Sequence, residues 1–114
     1  MAELVELRAE FEPGDAAEVV FTVRGAVIGY DTKKQEITVN GQRAHAPLRA
    51  DKQRLTIFCD RTGLEVFASD GLAYVPVSFH PKAGDISLGV AAKGGVVKMR
   101  SLEVHQLRSA WKKP

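Results

Sequence analysis

Residues 55–71 read LTIFCDRTGLEVFASDG, and this stretch decides the fold. Apolar residues occupy every second position from Leu55 to Cys59 and again from Leu64 to Ala68. A period of two is typical of β-strands with one buried face. The polar residues after each run, ending at Asp70-Gly71, predict turns. The stretch therefore predicts two consecutive strands joined as a hairpin.

The same period recurs along the chain. Tight-turn signals separate the alternating runs, among them Asn40-Gly41 and Gly94-Gly95. No segment has the 3.6-residue period of an amphipathic helix. Roughly nine or ten short strands with turns every eight to twelve residues predict an all-β fold. We expect a two-sheet antiparallel β-sandwich, jelly-roll or concanavalin-like, that forms a single domain over residues 1–114. Further alternating runs begin near Val5, Val19, Val27, Ile37, Val75, Ile86 and Val96.

Two local irregularities refine this prediction. Pro76 interrupts an alternating run, and because proline cannot donate to a strand ladder we expect an edge strand or a bulge there. In the last run the apolar parity changes between Met99 and Leu102. Since a slip of one residue would turn every side chain to the other face, the pattern predicts a β-bulge near Arg100-Ser101.

Composition and net charge argue against two classes of partner, nucleic acids and membranes. The 114 residues are 45% hydrophobic and 26% charged, which is typical of a globular domain. The net charge is only +2 and there is no basic block, so a nucleic-acid partner is not expected. No apolar run reaches the roughly 18 residues of a membrane helix, so no membrane partner is expected. No signal peptide is visible at the N-terminus.

Reactive groups are sparse. The three histidines, His45, His80 and His105, are far apart and form no spaced metal pair. The single cysteine, Cys59, lies on the apolar parity of its run and is expected to be a buried, inert thiol. Phosphate-binding and nucleophile motifs are absent. We therefore expect no metal, no cofactor, no catalytic residue and no enzyme activity in this chain.

One polar cluster remains, at the hairpin between the two decisive strands. Asp60 and Arg61 end the first strand, and Glu65 lies on the outward parity of the second. Carboxylates accept from vicinal hydroxyls and an arginine donates in a fixed fork, so these groups could meet a sugar. The alternative is structural: Asp60 caps the turn and Arg61 pairs with Glu65 across the hairpin.

At this stretch the chain resembles the C-terminal β-sandwich of glycoside hydrolase family 32, the invertases, levanases and inulinases. Those modules carry a Val-Asp-Arg-Ser-Ser-Val-Glu-Val-Phe segment followed by an Asn-Asp-Gly turn. Here residues 59–67 read CDRTGLEVF, and Ser69-Asp70-Gly71 replaces the turn. Weaker likenesses are Gly29-Tyr30-Asp31, Phe79-His80-Pro81, and Ser101-Leu102-Glu103-Val104 with Trp111.

The resemblance implies a two-sheet sandwich without catalysis, because in that family a separate β-propeller carries the catalytic carboxylates. Some such sandwiches are similar to carbohydrate-binding module family 66, which recognises terminal fructose of fructans such as levan. The first hypothesis is therefore a fructan-binding module accessory to a glycoside hydrolase catalytic domain. Its site residues would be Asp60, Arg61, Glu65, Tyr30, Asp31 and Tyr74. The family suggests an extracellular or periplasmic location.

Two other functions stay open. A structural accessory domain without sugar binding would present an apolar or polar-rimmed surface to a partner, and a homodimer through that face is an alternative. A stand-alone domain for protein binding is the third hypothesis, and fold alone cannot choose among the three.

Overall fold

A computed structural model of the chain describes residues 3–82 and 84–108. The described part contains ten β-strands and one short 3₁₀ turn, Ser69–Gly71. The strands are β1 Glu3–Glu12, β2 Glu18–Val23, β3 Ala26–Asp31, β4 Glu36–Val39, β5 Gln42–His45, β6 Gln53–Cys59, β7 Gly63–Ala68, β8 Ala73–Ser78, β9 Leu88–Lys93 and β10 Lys98–Arg108.

The strands form two five-stranded antiparallel sheets. Sheet A has the order β10-β1-β6-β7-β8, and sheet B has the order β5-β4-β3-β2-β9. The two sheets pack face to face, so the predicted all-β sandwich is confirmed. In the described residues no helix is long and apolar enough to cross a membrane.

The core lies between the sheets and is built from the predicted alternation. In β2 every second residue is fully buried, from Val19 through Phe21 to Val23, and the residues between them are only half-buried. Phe11 of sheet A packs against Phe21 of sheet B with ring centroids 5.6 Å apart. One face of each strand thus supplies the core, as the period of two requires.

The two irregularities are as expected. β8, which holds Pro76, is an edge strand of sheet A. In the β1–β10 ladder Glu10 pairs with Ser101 and Phe11 pairs with Met99, so Arg100 is the extra residue of a bulge. The bulge restores the inward parity of both apolar runs on either side of it.

One strand has no counterpart in the apolar pattern. β5, Gln42–His45, is polar and mostly exposed, and it pairs with β4 through the Asn40-Gly41 turn. Both turn residues have positive φ, 46° and 91°, as a tight hairpin turn requires. The turn, rather than any apolar periodicity, places β5.

The two long sides of the sandwich differ. On one side β5 and β8 contact each other, and we call this the closed edge. On the other side several inward-facing residues of β9 and β10 stay exposed, and we call this the open edge. There Leu88 and Val90 of β9 are 48% and 37% exposed, and Leu102 and Val104 of β10 are 46% and 43% exposed.

Candidate functional site

Three aromatic rings form a row on the outer face of sheet A. Phe58 of β6, Phe67 of β7 and Tyr74 of β8 all have outward parity. Phe67 stacks on Tyr74 at 4.7 Å between centroids, and Phe58 meets Phe67 edge to face at 6.0 Å. We call these three residues the aromatic row. The Tyr74 ring is exposed, so the row ends in an accessible aromatic surface.

Glu65 completes the accessible end of the aromatic row. The Tyr74 hydroxyl donates a hydrogen bond of 2.8 Å to Glu65 Oε2. Hydrogen bonding to this carboxylate, together with its negative charge, raises the pKa of the Tyr74 hydroxyl. The Tyr74 hydroxyl therefore stays protonated, and the hydrogen bond holds its ring in one orientation. The Glu65 carboxylate can still accept further hydrogen bonds.

Charged residues of β1 continue the same face. Glu6 pairs with Phe58 and Arg8 pairs with Thr56 in the strand register, and the Arg8 guanidinium contacts the Glu6 carboxylate. Sheet A thus presents apolar rings flanked by carboxylates and one guanidinium. This combination can bind the apolar face of a sugar ring while hydrogen-bonding its hydroxyls.

Asp60 is occupied in building the hairpin turn. Its Oδ1 accepts from the backbone N–H of Thr62 and of Gly63, each at 2.8 Å. These bonds lower the pKa of the Asp60 carboxyl, and the bond from the Thr62 N–H has the largest effect. The expected capping role is present. The expected pairing of Arg61 with Glu65 is absent among the ion pairs of the described residues, and Arg61 is exposed.

Tyr30 and Asp31 lie away from this hairpin. Tyr30 is fully buried, and its hydroxyl donates to the carbonyl of Ala46 at 2.7 Å. Burial raises the pKa of that hydroxyl. Ala46 is also contacted by Gln53, the first residue of β6, whereas Asp60 follows the last residue of β6. Seven residues of strand separate the two ends by about 23 Å.

Asp31 therefore belongs to the far end of the sandwich. It caps a turn through the Lys34 N–H and lines a cleft of about 470 Å³ with Asp15 and Lys33. Of the six site residues that the sequence suggested, the structure joins only Glu65 and Tyr74 by direct contact. Asp60 and Arg61 lie at the neighbouring hairpin tip, and Tyr30 serves the core.

The residues that sequence reasoning missed are Phe58, Phe67, Glu6 and Arg8. The signal was available: two phenylalanines occupy outward parity in strands whose inward positions are already apolar. Large apolar residues on both faces of a strand indicate a surface that contacts something besides the core.

Two further features bear on reactivity, the Cys59 thiol and the grouping of potential metal ligands. The Cys59 thiol is buried, and burial raises its pKa, so it is a poor nucleophile. No group of three or more potential metal ligands occurs within residues 3–82 and 84–108.

Comparisons with known proteins show which family of domains the chain resembles. The family model described as "Glycosyl hydrolases family 32 C terminal" matches residues 2–106. A levanase of Bacillus subtilis (strain 168) is 33% identical over 93% of this chain and 19% of the levanase. An extracellular exo-inulinase of Aspergillus niger is 27% identical over 73% of this chain and 18% of the inulinase.

A solved structure agrees in fold. The exo-inulinase of Aspergillus awamori superposes with a TM-score of 0.83 and 19% identity over 96% of this chain and 26% of that one. The chain thus spans about a fifth of the length of its curated relatives and corresponds to their C-terminal sandwich.

Proposed function

The chain belongs to the C-terminal domains of glycoside hydrolase family 32, and from this we propose that it is a non-catalytic module that binds β-fructans. The proposed ligand is the terminal fructose of a levan- or inulin-type chain. The proposed site is the outer face of sheet A, centred on Tyr74 and Glu65. The domain would act as the accessory part of a protein that also holds a glycoside hydrolase catalytic domain.

The observation that carries the proposal is the exposed Tyr74 ring, stacked on Phe67 and bonded to Glu65. A sugar ring has apolar C–H faces that pack on an aromatic surface, and its hydroxyls donate to carboxylates. Because the Tyr74 ring is already fixed by two neighbours, little side-chain entropy remains to be lost on binding. The proposed site is therefore preorganised for a terminal fructose.

The ligand class rests on the relatives. A levanase and an exo-inulinase take their names from levan and inulin, two β-fructans. Within the proposal, Asp60 and Arg61 form the rim of the site at the hairpin tip. Tyr30 and Asp31, which the sequence also suggested, have no part in it because one is buried and the other lies at the far end.

The test is calorimetric titration of the domain with levan, inulin, sucrose and fructose. We expect saturable, weak binding to a fructan that Tyr74→Ala and Glu65→Ala each reduce at least tenfold, about 1.4 kcal/mol per variant. The matched control is Val27→Ala, which truncates a similarly exposed side chain of sheet B (49% against 46% for Tyr74) and should bind like the original domain. Arg61→Ala measures how much of the affinity comes from the rim rather than from the aromatic row.

A folded domain that gives no heat with any fructan, or binding that survives both site variants, would refute the proposed site. The second candidate, a structural accessory domain without sugar binding, then gains weight. The exposed apolar residues of the open edge favour it, because such a surface is typical of a docking face. Co-purification with a separately expressed family 32 catalytic domain would test it.

A further inference from the structure

We propose that two copies of the chain associate edge to edge through β10, so that sheet A continues from one copy into the other. The two β10 strands pair antiparallel, and the two-fold axis of the dimer passes between the two copies of Val104. The proposal does not depend on sugar binding, because β10 and β8 are opposite edges of sheet A and the aromatic row ends at β8.

β10 is an edge strand without the features that usually prevent pairing. It has eleven residues and no proline, whereas β8, the other edge of sheet A, contains Pro76 and contacts β5. Short length, proline and cover by another element are common ways of blocking an edge. Beyond the bulge at Arg100, β10 pairs regularly with β1. The backbone N–H and C=O groups on its outer side can therefore form a second antiparallel ladder.

The charges on β10 are self-complementary about Val104. An antiparallel pair centred on Val104 sets Glu103 of each copy opposite His105 of the other copy. These two side chains share the outer face of sheet A, where Glu103 Oε1 and His105 Nε2 are 3.3 Å apart within one chain. Centring the pair on Glu103 would instead oppose two carboxylates, and a shift of one residue would set inward-facing residues against outward-facing ones.

The same alternation of charge begins on β1. In the register of β1 with β10, Glu6 lies opposite His105 and Arg8 lies opposite Glu103. In the dimer, one row across four strands would consist of Glu6 and His105, followed by Glu103 and Arg8 of the second copy. Acidic and basic groups alternate along this row. Opposite charges directly across antiparallel strands stabilise the pairing, so the row favours this arrangement.

The pairing also covers exposed apolar residues of the open edge. A two-fold axis perpendicular to sheet A keeps sheet B on the same side in both copies, so the two open edges face each other. Leu102 and Val104 of β10, with Leu88 and Val90 of β9, then lie between the copies. Val104 and Leu88 also line a cavity of about 200 Å³ at this edge. Contact between the copies removes this apolar surface from water.

The size of the open edge sets the expected affinity. Eleven residues of β10 span about 35 Å, and two packed sheets are about 10 Å apart. A side of these dimensions offers at most roughly the 800 Å² per copy that a stable interface buries. We therefore expect weak, reversible association. At a few micromolar the monomer should predominate, with the open edge exposed as described above, and at several hundred micromolar the dimer should predominate.

Sedimentation equilibrium over this range of concentration measures the association, and charged variants test the axis. Val104→Lys and Val104→Asp each oppose like charges at the axis and should weaken association at least about tenfold. An equimolar mixture of these two variants should associate more tightly than either variant alone. The matched control is Val27→Lys, on the outer face of sheet B at a similar exposure, 49% against 43%, and it should associate like the original chain.

Cysteine cross-linking tests the register. In the proposed dimer the two Cα atoms of residue 104 are about 5 Å apart, which is within the range of a disulfide. Leu102 lies opposite Gln106 of the second copy, so four residues of strand, about 14 Å, separate the two copies of Leu102. On oxidation Val104→Cys should form an interchain disulfide and Leu102→Cys should not. The natural Cys59 is buried and should not interfere.

Three results would overturn the proposal. An original chain that stays monomeric at several hundred micromolar would leave the open edge to a different partner. Association that Val104→Lys weakens no more than Val27→Lys would place the interface elsewhere. A disulfide that forms as readily in Leu102→Cys as in Val104→Cys would refute the register, even if the lysine and aspartate variants failed to fold.

Discussion

The closed and open edges of the sandwich contain the same kinds of residue in opposite states. At the closed edge Val75 of β8 is 5% exposed, and at the open edge Val104 of β10 is 43% exposed. Both are inward-facing valines on edge strands of sheet A. Parity therefore does not decide burial at an edge. What decides it is whether something covers the gap between the sheets.

At the closed edge the contact between β5 and β8 provides the cover, and a polar network fixes the segment that joins β5 to β6. Buried Gln53 accepts from the Ser69 N–H at 2.7 Å and donates to the Ala46 carbonyl at 3.3 Å. Ser69 Oγ donates to the Pro47 carbonyl at 2.7 Å. These bonds hold the segment before β6 across the gap and satisfy backbone groups that would otherwise be buried without partners. At the open edge no comparable network exists among the described residues.

The largest expected difference in the free energy of unfolding is between substitutions of two inward-facing glutamines, Gln53 of β6 and Gln106 of β10. Gln53→Leu leaves the buried Ser69 N–H without its acceptor, whereas the Ala46 carbonyl still accepts from the Tyr30 hydroxyl. The substitution should lower the free energy of unfolding by about 3 kcal/mol. Gln106→Leu, at an exposed position of the open edge, should change it by less than about 0.5 kcal/mol. Urea unfolding followed by circular dichroism measures both, and equal losses would contradict the distinction between the edges.

The second largest expected difference in stability is between alanine substitutions of the two valines, Val75 and Val104. Val75→Ala removes two buried carbon groups and leaves a cavity, so it should cost about 2 kcal/mol. Val104→Ala should cost roughly half as much or less, because the side chain is already partly in water. Urea unfolding followed by circular dichroism measures both losses. A loss from Val104→Ala as large as that from Val75→Ala would show that the two edges pack alike.

The smallest expected difference in stability is between alanine substitutions of two turn-capping aspartates, Asp60 at the hairpin tip and Asp31 at the far end. Asp60→Ala removes bonds to two backbone N–H groups and should cost about 1 kcal/mol near pH 7. Asp31→Ala removes one such bond and should cost less. Thermal unfolding measures both, and a larger loss from Asp31→Ala would contradict this account of the turns.

The Asp60 contribution should also depend on pH. The folded state lowers the pKa of this carboxyl below its unfolded value, so the carboxylate stabilises the fold at pH values above the unfolded pKa of about 3.9. That contribution is lost as the pH falls through the lower folded pKa. The difference in stability between the original domain and Asp60→Asn should therefore shrink on acidification from pH 6 to below the folded pKa. A difference that stays constant over this range would show that the charge makes no contribution.

Much of the fold could be predicted because it follows from local rules. Alternation identified the strands of the core, proline placed β8 at an edge, and the parity change located the bulge at Arg100. β5 escaped prediction because its residues are polar. It forms only because the Asn40-Gly41 turn brings it back along β4.

The candidate site was predicted less well, for a physical reason. Glu65 and Tyr74 were suggested separately, but neighbouring strands bring them to 2.8 Å. The sequence did not show that Tyr30 is buried, because a tyrosine on a strand can have its ring in the core and still donate its hydroxyl, here to the Ala46 carbonyl. Binding of a fructan by the assembled site is the prediction that calorimetric titration tests.

By itself the sequence determined that the chain is an all-β sandwich, because a period of two and turn residues act over a few neighbouring positions. The family was indicated separately, by the resemblance of residues 59–71 to its motif. The tertiary structure alone decided which sides of the sandwich close and which side chains meet across strands. Those outcomes depend on strand order and register, which bring together residues distant in the chain. The aromatic row and the open edge are both products of that order.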